Sequence, residues 1–179
     1  MNNRKKIFNL CLSAMFLALA FVLPFFTGQI PQIGSKLCPM HLPVILCGYA
    51  CSGVWGLVVG FIAPLLRCFI VGMPSPLFPK AIAMAFELAA YGFMAGTLYR
   101  VMPKKKVNIY ASLVISMVVG RFVWGAVQLC CAGLDATKFT LSAFWAGAVV
   151  NAVPGIIIQL VLIPVLVVAM EKLRAELDK

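Results

Sequence analysis

The sequence predicts an all-α membrane protein, a bundle of six transmembrane helices in a single domain over residues 1–179. Three observations predict it. The 179 residues are 63% hydrophobic and only 11% charged, far too little charge to cover a water-facing domain. Apolar stretches long enough to cross roughly 30 Å of hydrocarbon recur along the whole chain and leave no soluble segment over. The positive charges gather at the ends of those stretches, where membrane-flanking cations belong.

Helix 1 is expected over about Ile7–Phe25, entering from Arg4, Lys5 and Lys6. Residues 1–25 share the basic start and apolar core of a signal peptide. With no small-residue cleavage site after them, they read as a retained first helix. Pro24, Gly28, Pro31, Gly34 and Pro39 then mark an irregular loop, residues 26–40, long enough for a binding or lid role. The apolar run from Met40 to Gly72 exceeds one helix and divides near Cys51, Ser52 and Gly53. That gives a short helix 2 (about 41–51) and a helix 3 (about 54–71). The prolines at 74, 76 and 79 forbid a continuous helix through the next loop. Helix 4 is expected over about Lys80–Tyr99 and helix 5 over about 108–130. A polar turn follows near Asp135, then helix 6 over about 140–170, kinked or locally unwound at Pro154 and Pro164.

Six spans put both termini on one side. The clusters Arg4-Lys5-Lys6, Arg100 with Lys104-Lys105-Lys106, and Lys172, Arg174 and Lys179 all fall there. The opposite loops carry only Lys36, Asp135 and Lys138, plus Lys80 at a helix end. Both termini are therefore expected to be cytoplasmic, in a multi-pass prokaryotic cell membrane with lipid around the bundle. The net charge of +10 would suit nucleic acid, but no basic face exists outside these flanks, which excludes that class. The seven cysteines show no metal-ligand spacing, and no metal or cofactor is expected. Cys38, Cys68, Cys130 and Cys131 are the candidates for a disulfide on the outer side.

Ionisable groups within a membrane are costly and usually face a partner or a watery cavity. Here they are Arg67, Lys80, Glu87 and Arg121, all expected in the outer half. Glu87 lies about 10 Å in from the start of helix 4, and Arg121 about 14 Å below the outer end of helix 5. Lys80, Met84, Glu87 and Tyr91 share one stripe of helix 4; Arg121, Trp124, Gly125 and Gln128 share one of helix 5. Asn151 on helix 6 falls at similar depth. Polar, aromatic and glycine positions thus converge on an outward-facing site with apolar walls, the form of a small-molecule pocket. His41, the one histidine, stands between prolines and reads as a loop contact to that site rather than a proton relay. The plainer alternative is that Glu87 pairs with Arg121 or Lys80 to neutralise a helix interface. Tyr91 and Trp124 could equally be packing residues, and Lys80 an interfacial anchor. Three cations against one anion favour a solute bearing a carboxylate or phosphate.

Enzyme motifs are absent. There is no HExxH, no nucleophile elbow, no paired membrane carboxylates and no phosphate-binding loop, so any uphill transport must draw on an ion gradient or on partner ATPases.

Several stretches carry a resemblance: Leu42-Pro43-Val44, Gly56-Leu57-Val58-Val59-Gly60, Pro64-Leu65-Leu66-Arg67, Met84-Ala85-Phe86-Glu87-Leu88, and Ala14-Met15-Phe16-Leu17-Ala18. With the long first outer loop, short second helix and basic loop after helix 4, the whole chain resembles the substrate-binding S components of energy-coupling factor (ECF) vitamin transporters. One departure is the turn Cys51-Ser52-Gly53-Val54, where many relatives have Gly-Pro. The resemblance implies uptake of a micronutrient, with a transmembrane T component and two ATPases as partners and a toppling motion that releases solute inward. It also implies that Ala14 and Ala18, an AxxxA pair, pack against the T component; small residues four apart let helix backbones approach closely. Substrates across that family include riboflavin, thiamine, biotin, folate, pantothenate, niacin and cobalamin-related compounds. The pantothenate-type members are the most similar. A stand-alone ion-coupled carrier using Glu87 is the alternative.

Overall fold

In lipid the packing of helices cannot rest on hiding apolar surface from water, so close backbone approach and internal polar ties must hold the bundle together. A computed structural model describes residues 3–26, 39–72, 80–103, 106–135 and 153–177. These form six helices: α1 (Asn3–Phe26), α2 (His41–Ala50), α3 (Gly53–Val71), α4 (Ile82–Val101), α5 (Lys106–Asp135) and α6 (Val153–Leu177). Five are long and apolar enough to cross a membrane. The sixth, α2, has 10 residues, about 15 Å by helical rise, and reaches only half-way.

Local chemistry explains where the helices stop. Gly72 adopts φ 73°, and its N–H donates to the Cys68 carbonyl at 3.0 Å, ending α3 in the left-handed cap that glycine enters freely. Met102 is extended (φ −78°, ψ 146°) because Pro103 follows it, and this closes α4. Ser52 caps α3, its hydroxyl accepting from the Trp55 N–H at 3.5 Å. A serine cap thus starts α3 directly after the turn that ends α2.

Several boundaries differ from those read in the sequence. α1 begins at Asn3, so Arg4, Lys5 and Lys6 lie on the helix rather than ahead of it; their long side chains can extend to water from its first turns. α5 continues as helix to Asp135, past the expected end near 130, and the residues after it lie outside those described. α6 runs unbroken through Pro164, so it is not unwound there. Pro154 is the second residue of the described stretch, and the residues before it lie outside it. The loop segments at 27–38 and 73–79, and the first part of the expected helix 6, lie outside the described residues. Of the disulfide candidates, Cys130 is a free, exposed thiol, and Cys38 lies outside the described residues.

α4 is the hub, packed against α2, α3 and α5. The approach is close because glycines meet. A methyl group on Gly92 would lie 2.8 Å from the Gly56 Cα, and one on Gly96 would lie 2.5 Å from the Gly53 backbone nitrogen. Gly48 and Gly60 meet the backbone of α4 in the same way. Outward, Phe69, Phe122, Val161 and Val165 are more than half exposed, a surface suited to hydrocarbon.

Contacts identify the two ends of the bundle. At one end, Tyr49 of α2 hydrogen-bonds Ser112 of α5 (2.8 Å), and its ring meets Tyr99 of α4 edge-on at 5.0 Å. There too, Tyr99 donates to Glu171 of α6 and Arg100 to the Cys51 carbonyl. We term this the basic end, since it holds Arg100 and Lys172. At the far end stand His41, Arg67 and Phe25.

Candidate functional site

Glu87 is the centre of the far-end cluster. About one and a half turns into α4, its side chain is 4% exposed. A lone carboxylate would be expensive there. Arg121 of α5 answers it, with a guanidinium nitrogen 2.9 Å from Glu87 Oε1. Tyr91, one turn along the same face of α4, donates its hydroxyl to that oxygen at 3.1 Å. His41 Nε2 lies 3.8 Å from it, beyond hydrogen-bond reach, and its ring meets Tyr91 edge-on at 5.2 Å. Of the two pairings open to Glu87, the structure has the one with Arg121. Lys80 is exposed just ahead of α4.

His41 is no loop residue. It opens α2, with Pro43 two positions on, inside the first turn where a proline is tolerated. It is 2% exposed, and neither ring nitrogen has a hydrogen-bond partner. Arg67, on α3, is 8% exposed. Its Nη1 lies 3.7 Å from the Met40 sulfur and its Cζ 5.9 Å from the Phe25 ring centre, while Nε has no hydrogen-bond partner. Trp124 and Gln128 follow Arg121 along α5, half-buried. Asn151 lies outside the described residues. Ala14 and Ala18 are both exposed on α1, on the face opposite the buried Ser13, Phe16 and Ala20. A groove of about 400 Å³ lies elsewhere, between Ile109 and Tyr110 of α5 and Pro164, Val165 and Val168 of α6, near the basic end.

Two members of this neighbourhood were not singled out by sequence reasoning. Met40 bridges α2 to Arg67. Gly120 seats the Tyr91 ring: a methyl group at Gly120 would stand 2.7 Å from a ring carbon. The available signal was a glycine mid-helix, next to Arg121, in a span where nothing else calls for one.

Against this geometry stands one finding from comparison. A family model described as "ECF transporter, substrate-specific component" matches residues 8–167. The chain belongs to that family. It is thus a substrate-specific subunit of an ECF transporter, a multi-pass membrane protein and a transport subunit rather than an enzyme. Membership implies a complex with T and ATPase modules. No curated protein and no solved structure gives a match.

Proposed function

We propose that this chain is the high-affinity capture subunit for an anionic vitamin or vitamin precursor, of the pantothenate type in the first instance. The observation that carries the reading is the buried far-end cluster of Glu87, Arg121, Tyr91 and His41, beside Arg67. Polar groups held at that depth by apolar walls supply directional contacts in an otherwise greasy site. Trp124, Gln128, Asn151 and Lys80 are further candidate contacts along the same helices and the approach to them. The far end faces outward and the basic end inward, with both termini cytoplasmic, as the positive-inside bias favours. The T component docks on the exposed face of α1 around Ala14 and Ala18.

The test is mass spectrometry of small molecules released from the purified protein. A carboxylate- or phosphate-bearing micronutrient is expected; protein that comes away empty from several growth media would refute capture. Docking is tested separately. Ala14→Leu with Ala18→Leu should leave capture intact and abolish co-purification of the T component and ATPases. Undiminished co-purification would move the interface off this face.

A further inference from the structure

A buried guanidinium is costly unless an anion answers it, and among the described residues none pairs with Arg67. It is 8% exposed, with the Met40 sulfur 3.7 Å from Nη1 and the Phe25 ring 5.9 Å from Cζ. Arg121 is already committed to Glu87, and Lys80 is in the open. Of the three cations that the sequence places in or at the membrane, Arg67 is thus the buried one without an ion pair among the described residues.

Arg67 reaches toward a particular place. Met40, whose sulfur it touches, is the N-cap of α2. A methionine has no side-chain oxygen to accept from the helix's first N–H groups, and α2 carries no side-chain cap. The positive end of the helix dipole is thus not countered by its cap residue. His41, the next residue, adds two buried ring nitrogens without hydrogen-bond partners. Cation, helix terminus and imidazole converge from α3 and α2, and all three favour negative charge.

We infer that the start of α2, with Arg67 and His41, is the seat for the anionic group of the captured solute, a carboxylate or a phosphate. This inference rests on the capture function proposed above. It gives the site a division of labour. The charge of the solute goes to Arg67, while the neutralised Glu87–Arg121 pair and Tyr91 contact its uncharged polar part. The guanidinium fork suits either oxyanion, which it can engage through two parallel N–H donors.

The experiment uses the full chain in phosphatidylcholine nanodiscs at constant ionic strength, titrated with sodium acetate and, separately, sodium phosphate. The readout is the melting temperature. One or both anions should raise it saturably over a chloride control. Arg67→Gln should weaken the apparent affinity about tenfold, the scale of a lost charge-assisted hydrogen bond. Lys172→Gln, a cation exposed at the basic end, should leave the response as it is. Should Arg67→Gln fail to fold, phenylglyoxal labelling of the wild-type chain, read by peptide mass spectrometry, replaces it. Acetate or phosphate should then protect Arg67, and tetramethylammonium should not.

Equal responses in wild type and Arg67→Gln, or a wild type that neither shifts nor protects, would overturn the seat. A response confined to nanodiscs containing phosphatidylglycerol would assign it to a lipid headgroup and overturn the solute version. Release of a neutral or cationic solute from the purified protein would defeat the anion seat while leaving capture standing; only an empty protein defeats both.

Discussion

The two ends of the bundle solve the same problem differently. At the basic end, the described polar groups find their partners in a hydroxyl, backbone carbonyls and the Glu171 carboxylate. Tyr49 shares a hydrogen bond with Ser112 at 2.8 Å, and Ser112 donates to the Ile109 carbonyl at 3.0 Å. Arg100 meets the carbonyl of Cys51. At the far end the groups are charged or titratable, and several buried nitrogens have no described partner, namely those of His41 and Nε of Arg67. A satisfied network rigidifies, whereas an incompletely satisfied one stores capacity for a ligand. The comparison teaches that satisfied and unsatisfied polar groups lie at opposite ends of the same helices, α2 and α4 serving both, which is the arrangement that the proposed capture site requires.

The comparison can be broken most forcefully at the ion pair. Arg121→Ala should cost about 3–5 kcal/mol, since it strands Glu87 as a buried unpaired charge. Glu87→Gln combined with Arg121→Met should recover most of that loss. Thermal unfolding in detergent reads both, and an Arg121→Ala protein as stable as wild type would show that the pair ties nothing. A smaller effect is expected between the ends. Gly92→Ala would push its methyl into the Gly56 backbone and should cost about 1–3 kcal/mol, with solute capture reduced only as far as the fold is. Smallest is the basic end itself. Tyr49→Phe removes one neutral hydrogen bond, so its melting point should fall by the equivalent of about 1 kcal/mol. Solute affinity should be unchanged in that variant; a loss of affinity would mean that the two ends are coupled and that the division drawn above is wrong.

Much of the helical plan was legible because proline and glycine punctuate it. Gly72 and Pro103 end α3 and α4 through backbone effects that operate without tertiary context. Charges were a poorer guide to boundaries. Arg4–Lys6 looked like a flank, yet a helix can run on past the apolar stretch and let long side chains reach water. The paired glycines Gly56/Gly60 and Gly92/Gly96 are visible as small residues four apart, but that they face each other is a fact of packing, not of spacing. Depth and helical phase singled out Glu87, Tyr91 and Arg121 but left the partner of Glu87 open between Arg121 and Lys80. Arg67 was legible as a membrane cation; that no described residue forms an ion pair with it was not, because that depends on what the other helices present to it. His41 was misread because two prolines flank it, though one of them sits where a helix accepts proline.

The shortness of α2 has a geometric consequence. Around it, α3 continues about 6 Å beyond Arg67, and α5 about 20 Å beyond Arg121. His41 opens the shortened segment, and with α1, α3 and α4 packed on α2 its ring lies inside the bundle, 2% exposed. A helix terminus that would stand among lipid headgroups in a full-length span is thereby held between neighbouring helices. How deep it lies is set by one segment's length rather than by helices moving apart. One added turn in α2 would shift that terminus by about 5 Å.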